Sequence, residues 1–173
     1  MRSDLLLMGV GLMALGFIVV KRGVEVPKIL SYSEALSLAD AIDQRDFGGW
    51  FSSGGRDIRD VVAIWKIESA LDAHAVGDFH LSDKSWGLGQ VRGSTAAEFG
   101  VTSSEAMLNP TIGAWASMKT LHSMFFDLSR RFGRAPTLDE WVAAYNAGAR
   151  RIAESGIINA GYVAKWHAAR GVA

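Results

Sequence analysis

Glu68 is the side chain whose type and position most clearly indicate chemistry. It belongs to a segment, residues 57–70, in which apolar side chains recur at helical spacing, and it lies in that apolar stripe three residues after Trp65. Burial disfavours the charged form of a carboxyl group and raises its pKa. An acid that keeps its proton near neutral pH is suited to protonating a glycosidic oxygen. The pattern leaves an alternative open, in which the helix frays near Ser69 and Glu68 points into solvent.

Two further motifs carry glycine beside polar side chains and indicate a ligand cleft. The first, GLGQ at residues 87–90, follows a polar loop over residues 71–86, and its glycines allow the backbone to approach a ligand closely. Gln90 both donates and accepts hydrogen bonds, which suits sugar hydroxyls and acetamides. The second, AYNAG at residues 144–148, lies where a helix is predicted to end at Gly148 in the left-handed conformation. Each motif alone is also compatible with an ordinary turn or helix end.

The elements that position these groups are predicted to be helices. From Asp57 onward the apolar pattern has a helical period and no run alternates as a half-buried strand does, so an all-α body is predicted. The predicted helices span residues 57–70, 94–99, 111–132, 137–146 and 160–169. Their starts are marked by capping or first-turn signals at Asp57, at Ser94, at Asn109-Pro110 and at the Thr137 to Glu140 capping box.

The amino-terminal part differs from the body in hydropathy. Residues 5–20 contain no charged side chain and would span about 24 Å as a helix, which predicts a membrane anchor. A cleaved signal peptide and a buried core helix are alternatives for this run. We therefore divide the chain into a transmembrane anchor with linker, residues 1–30, and a folded domain, residues 31–173. Within that domain, a short amphipathic helix over residues 33–44 is expected to pack on the body, ahead of a glycine-rich loop over residues 46–56.

Composition excludes several classes of protein. The 173 residues carry 18 basic and 18 acidic side chains, and this balance argues against a nucleic-acid partner, which needs a basic surface. The absence of cysteine excludes disulfides, thiolate zinc sites and a cysteine nucleophile. His74 and His80 lie near Asp78 in the polar loop, but their spacing matches no helical ligand pair. Neither a metal site nor a cofactor is predicted.

Four motifs occur in an order that is specific for one family. Ile67-Glu68-Ser69, the GLGQ motif, Ser94-Thr95-Ala96 and the AYNAG motif follow one another within about residues 57–166. This series resembles the lytic transglycosylases with a goose-type-lysozyme-like fold, whose domain is often called the soluble-lytic-transglycosylase domain. The resemblance implies an all-α lysozyme-like domain in which Glu68 is the catalytic acid. It also implies a set of substrate-binding residues, namely Ser85, Gln90, Tyr145, Asn146 and Tyr162.

The family resemblance also implies a substrate, the β-1,4 bond between N-acetylmuramic acid and N-acetylglucosamine in peptidoglycan glycan strands. It implies that one carboxylate acts as acid and then as base, giving a 1,6-anhydro product, while Tyr145 and Asn146 hold the substrate's acetamide and orient the acid. Gly89 departs from the family's pattern, in which methionine is common, and its missing side chain is expected either to widen the cleft floor or to alter sugar packing. Trp86 is bulkier than the family's usual residue and is either a sugar-stacking platform or part of the core.

Chain length and the predicted anchor favour an enzyme that opens the wall locally. A phage virion during genome entry is favoured over a secretion, pilus or conjugation apparatus. Such an enzyme would be membrane-anchored through residues 5–20, with its catalytic domain acting in the periplasm. Lys21, Arg22 and Lys28 conflict with this placement, because the positive-inside rule favours a cytoplasmic body. Two alternatives remain open: an inverting muramidase in which an aspartate of residues 72–83 activates water, and a glycan-binding structural protein without activity.

Overall fold

The computed structural model describes residues 29–171, and helices form most of this part of the chain. They are α1 (Tyr32–Ile42), α2 (Ile58–Ser69), α3 (Gly93–Glu98), α4 (Pro110–Phe132), α5 (Leu138–Ala147), α6 (Ala149–Ser155) and α7 (Ala160–Arg170). The predicted helical domain is thereby confirmed. None of the helices within residues 29–171 is long and apolar enough to cross a membrane. The anchor predicted for residues 5–20 lies outside the described residues.

Local capping explains where three of the helices begin. The Asp57 side chain accepts a backbone N–H of the first turn of α2, and Asn109 does the same for α4 directly before its first-turn proline. Thr137 and Glu140 form a capping box at the start of α5, in which each side chain accepts the other residue's backbone N–H. The predicted starts of these three helices are confirmed, because each depends on residues that are close together in the sequence.

Two predictions about helix ends are wrong. α3 begins after Arg92 rather than at Ser94, because the Ser94 hydroxyl donates to Asp83 of the preceding loop at 2.6 Å and does not cap the helix. Gly148 has a φ of 88° and a ψ of 138°, which is outside the left-handed helical region. α6 begins immediately after Gly148, so this glycine turns the chain between two helices. α6 is not among the predicted helices.

Three short strands amend the all-α prediction. β1 (Val76–Gly77), β2 (Ser85–Trp86) and β3 (Val91–Arg92) form an antiparallel sheet in that order. Trp86 lies opposite Val76 on one side and opposite Val91 on the other. Strands of two residues give no alternating pattern, and the sequence therefore contains no signal for them. A 3₁₀ turn, Ser104–Leu108, then leads into α4.

Asp43 fixes the segment that joins α1 to α2. α1 continues into a π-helical turn, Asp43–Phe47, and the buried Asp43 carboxylate accepts the backbone N–H groups of Phe51 and Ser52, each at 2.9 Å. The predicted packing of this amino-terminal helix on the body is confirmed, since the main core includes three α1 residues, Ala35, Ala39 and Ile42.

α2 passes through the core, and α7 packs against it. Residues 61–65 of α2 are fully buried. Trp166 donates its indole N–H to the Asp60 carbonyl at 3.0 Å, and Arg170 Nε lies 2.6 Å from Oδ1 of the same aspartate. Asp60 is fully buried, so this ion pair compensates a charge that is costly when unpaired. These two contacts fix the position of α7 along α2.

Candidate active site

Glu68 lies one residue before the end of α2. Ser69 is the last residue of the helix, and Ala70 stops it in the left-handed conformation, with φ 54° and ψ 32°. The helix is intact through Glu68, whose side chain is partly buried. The alternative in which the helix frays and the carboxyl group points into bulk water is therefore wrong.

Tyr162 of α7 holds one oxygen of this acid. Its hydroxyl donates to Glu68 Oε1 at 2.5 Å. Burial raises the pKa of Tyr162, and the nearby Glu68 charge raises it further, so the phenol keeps its proton and stays a donor. Within the described residues, no protein group is hydrogen-bonded to Oε2 of Glu68. One carboxyl oxygen is thus fixed by the protein, and the other remains for a ligand.

The environment of Glu68 favours its protonated form. Burial raises the pKa of Glu68, the hydrogen bond from Tyr162 partly lowers it, and the negative charge of Asp78 raises it again. The net direction is upward from the ordinary value for a glutamic acid. This is the direction expected for a group that must donate a proton near neutral pH.

Glu68 lines a cleft of about 700 Å³. One side of the cleft comes from the sheet and the residues around it, and the other comes from α4, α5 and α6. The structure brings five predicted site residues to this one cleft, namely Glu68, Ser85, Gln90, Tyr145 and Asn146. The sixth, Tyr162, reaches the site through its hydrogen bond to Glu68.

Gln90 holds the loop that carries it. Its Nε2 donates to the Ala75 carbonyl at 3.1 Å and to the Gly87 carbonyl at 3.0 Å. Its oxygen lies against Gly77, where an added Cβ would come within 2.3 Å. The Gln90 backbone has a φ of 49°, a left-handed conformation that is unfavourable for a residue other than glycine. The local structure therefore uses the Gln90 amide to stabilise a strained turn beside the acid.

Asp78 provides a second carboxylate in the cleft. Its side chain accepts a hydrogen bond from the Ser85 hydroxyl, and both residues line the cleft with Glu68. Ser85 is largely buried in β2, so its hydroxyl fixes the orientation of this carboxylate. The sequence alone does not distinguish among the aspartates of residues 72–83. The sheet singles out Asp78, because its first two strands bring Asp78 and Ser85 together.

A chain of hydrogen bonds ties Tyr145 to the core and to the GLGQ loop. Trp65 Nε1 donates to Ser117 Oγ at 2.9 Å, and Ser117 Oγ lies 2.9 Å from Tyr145 Oη. Tyr145 in turn donates to the Gly89 carbonyl at 2.6 Å. Since the indole only donates and the carbonyl only accepts, the protons all point the same way and Ser117 donates to Tyr145. The Tyr145 hydrogen is thus directed at the loop.

Ser117 is one residue beside the site that was not predicted, since a serine within a long helix gives no signal. Gly89 shows why it matters, because a Cβ added there would lie 2.2 Å from Ser117 Oγ and 2.5 Å from Tyr145 Oη. The expectation that Gly89 widens the cleft floor is therefore wrong. The two hydroxyl groups occupy the space that a side chain at Gly89 would need.

Two further predicted residues take different places. Asn146 is exposed in the cleft, and its Oδ1 accepts a hydrogen bond from Asn159 Nδ2 at 3.0 Å. Trp86 is half-buried and packs against a small core cluster around Val91 and Met107. The structure thus favours the core interpretation of Trp86 over that of a sugar-stacking platform.

The histidines of the polar loop are exposed. His74 and His80 both lie at the surface. Within residues 29–171, no group of three or more histidine, aspartate or glutamate side chains is placed to hold a metal ion. The described residues that line the cleft carry carboxyl, hydroxyl, phenol, amide and guanidinium groups.

Comparison with known proteins identifies the family. The family model for the transglycosylase SLT domain matches residues 52–163, which is more than half of the chain and includes every predicted site residue. The chain therefore belongs to the transglycosylase SLT domain family, whose lysozyme-like domains are lytic transglycosylases of peptidoglycan. A comparison with curated proteins finds no match, and a comparison with solved structures finds none.

Proposed function

We propose that the chain is a peptidoglycan lytic transglycosylase in which Glu68 is both catalytic acid and catalytic base. The observation that carries the proposal is the setting of this carboxyl group. It faces the cleft, one of its oxygens accepts the Tyr162 hydroxyl, and burial raises its pKa. A carboxyl group with a raised pKa keeps its proton to higher pH than an ordinary glutamic acid does, and it can transfer that proton to a leaving oxygen. Membership of the transglycosylase SLT domain family supports the same activity.

Two proton transfers at Glu68 account for the reaction. In the first, the acid protonates the bridging oxygen as the bond from C1 of N-acetylmuramic acid breaks. The substrate's own acetamide stabilises the oxocarbenium-like charge that develops at C1. In the second, the Glu68 carboxylate takes the proton of the C6 hydroxyl, and the C6 oxygen forms the new bond to C1. The products are a 4-hydroxyl end and a 1,6-anhydro end, Glu68 is protonated again, and no water is consumed.

The other site residues position the acid and the strand in this scheme. Tyr162 holds Oε1, which leaves Oε2 as the atom that exchanges the proton. Tyr145 and Gln90 hold the GLGQ loop beside the acid through their hydrogen bonds to backbone carbonyls. Ser85 and Asn146 line the cleft, and we assign them to substrate contact.

Replacing Glu68 by glutamine tests the proposal. Glu68→Gln keeps the size of the side chain and still accepts the Tyr162 hydroxyl, but it has no acidic proton to give. We expect a loss of activity of about 100-fold or more, measured as muropeptides released from purified peptidoglycan and identified by mass. Glu98→Gln is the matched control, because Glu98 is exposed on α3 and away from the cleft lining. Losing binding contacts alone would lower activity by about tenfold. If Glu68→Gln keeps activity within that range of the unmodified chain, the assignment is contradicted.

Asp78 supports one alternative, an inverting hydrolase. A second carboxylate in the cleft is what such an enzyme needs to activate water. The products separate the two reactions, since a transglycosylase yields 1,6-anhydro ends and a hydrolase yields reducing ends. The engagement of Asp78 by the Ser85 hydroxyl favours a structural and electrostatic role, and we place the hydrolase second.

We also propose that the enzyme opens the wall locally from a membrane, with phage genome entry favoured over a secretion or conjugation apparatus. The uncharged run at residues 5–20 supports membrane attachment, and a catalytic domain in the periplasm is where peptidoglycan is available. Flotation of the full chain with phospholipid vesicles tests the attachment. Replacing two leucines of that run by aspartate is expected to release the protein from the vesicles.

A further inference from the structure

Two arginines line the cleft without forming an ion pair in the described part of the chain. Seven of the ten arginines among residues 29–171 pair with a carboxylate: Arg45, Arg59, Arg130, Arg131, Arg134, Arg150 and Arg170. Arg56 stacks over Trp50 at 3.8 Å. The other two, Arg92 and Arg151, both line the cleft that contains Glu68.

Exposure alone does not explain why these two arginines are unpaired. Arg150 and Arg151 are adjacent on α6 and both are exposed, yet Arg150 pairs with Glu154 at 2.8 Å while Arg151 lines the cleft. Arg92 belongs to β3 on the sheet side. Hydrogen bonds from Ser94 are the main cause that lowers the pKa of nearby Asp83; the Arg92 charge lowers it further, without an ion pair between the two in the described residues. The cleft therefore carries one cationic side chain from the sheet and one from the helices.

The proposed substrate supplies anions for which arginine is suited. A guanidinium group binds a carboxylate through two parallel hydrogen bonds. Each muramyl residue carries a lactyl carboxylate or, where a stem peptide is attached to it, the carboxylates of that peptide. An N-acetylglucosamine residue carries none, so a neutral chitin-type strand offers no carboxylate to either arginine.

We propose that Arg92 and Arg151 bind carboxylates on the muramyl residues and thereby select wall strands over neutral glycans. The inference rests on the proposed function for the identity of the strand, and it adds the residues that recognise its charge. Both cations lie along the cleft whose acid is Glu68, so a strand placed for cleavage passes within reach of them. The acidic groups of the cleft, Glu68 and Asp78, then face the sugar ring and the scissile bond.

Binding measurements on the full chain test this without requiring cleavage. Affinities are measured in the Glu68→Gln background for three soluble ligands: strands with stem peptides, strands stripped by an amidase to expose lactyl carboxylates, and N-acetylglucosamine oligomers. Arg151→Gln and Arg92→Gln are each expected to weaken binding of at least one of the two anionic ligands by about tenfold. Each is expected to leave the affinity for the neutral oligomer unchanged. Arg151→Lys is expected to restore part of the lost affinity, because lysine keeps the positive charge but lacks the planar guanidinium group that forms two parallel hydrogen bonds. Arg150→Gln is the matched control, with no expected effect.

The results separate the source of the anion and separate this inference from the proposed function. A loss confined to stripped strands assigns the lactyl carboxylate, and a loss confined to peptide-bearing strands assigns the stem. Equal losses on the neutral oligomer, or no loss on either anionic strand, overturn the inference. The unmodified chain tests the proposed function independently, through the 1,6-anhydro ends that it releases.

Discussion

The side-chain oxygens of Glu68 and Tyr162 lie 2.5 Å apart, although the two residues are 94 positions apart in the sequence. Glu68 is at the end of α2 and Tyr162 is in α7, and the two helices are joined by the contacts of Trp166 and Arg170 with Asp60. The orientation of the acid therefore depends on the packing of a distant helix. The same hydrogen bond also influences how tightly Glu68 holds its proton.

Tyr162→Phe is expected to move the alkaline side of the pH–activity profile to higher pH. The hydroxyl favours the charged form of Glu68, so its removal raises the pKa of an acid whose pKa burial already raises. A general acid works while it is protonated, and activity then persists to higher pH. We also expect activity at the optimum to fall about tenfold, because the carboxyl group loses its fixed orientation. An alkaline limb at the same pH or lower, measured as kcat/KM on soluble strands, would contradict the role of Tyr162.

Asp78→Asn is expected to move the alkaline side of the pH–activity profile to lower pH. The negative charge of Asp78 raises the pKa of Glu68, so a neutral side chain lowers it and activity is lost at lower pH. Asparagine tolerates the backbone φ of 53° at this position, which keeps the loop intact. Activity at the optimum should stay within about tenfold, whereas loss of a water-activating base costs about 100-fold or more. The variant therefore also discriminates between transglycosylase and hydrolase.

Gly89→Ala is expected to destabilise the fold and to lower activity. The added Cβ would lie 2.2 Å from Ser117 Oγ and 2.5 Å from Tyr145 Oη, so the buried hydrogen-bond chain must move apart. Overpacking of this kind costs about 1–3 kcal/mol of unfolding free energy. Gly161→Ala is the control, because a Cβ in that part of α7 meets nothing within 4 Å and alanine is the better helix former. Denaturant unfolding of both variants measures the difference.

Glu140→Gln is expected to cost stability at neutral pH but not in acid. Hydrogen bonds from Arg134 lower the pKa of Glu140 from 4.5 to about 2, with a further contribution from Thr137. A carboxylate with a lowered folded-state pKa stabilises the protein above its unfolded pKa and loses that effect as pH falls from about 4.5 towards 2. Arg134 is half-exposed and the pair is screened by solvent, so we expect about 1 kcal/mol at pH 7.

Unfolding measurements at several pH values check this prediction. The difference between the unmodified chain and Glu140→Gln should shrink steadily below pH 4.5. Glu154→Gln provides the comparison, since its pair with Arg150 is highly exposed and is expected to contribute little to stability. A constant difference across the pH range would show that packing rather than charge makes Glu140 stabilising.

The sequence predicts features that depend on nearby residues and fails where contacts are distant. Asp57, Asn109 and Thr137 mark their helices correctly, because a cap is made with backbone groups two or three residues away. The prediction that Ser94 caps a helix is wrong, because its hydroxyl donates to Asp83, eleven residues earlier in the chain. α6 has few buried side chains to set a period, and its length of seven residues is too short for a clear pattern.

The same limit applies to the site. Glu68 is predictable because a carboxyl group interrupts an otherwise apolar helical stripe. Its link to Tyr162 and the chain from Trp65 through Ser117 join residues that are 94 and 52 positions apart, and no local pattern records such contacts. The sequence shows that Gly89 departs from the family's pattern. The reason for a glycine there appears only in the structure, where two hydroxyl groups occupy the space that a side chain would need.

The dependence of Glu68 on α7 has a consequence for biosynthesis. The acid is translated early, whereas the phenol that orients it and the clamp on Asp60 belong to residues 160–170. A nascent polypeptide on the ribosome therefore carries Glu68 before the groups that orient its side chain have been made. The proposed activity should therefore arise only once α7 has docked against α2.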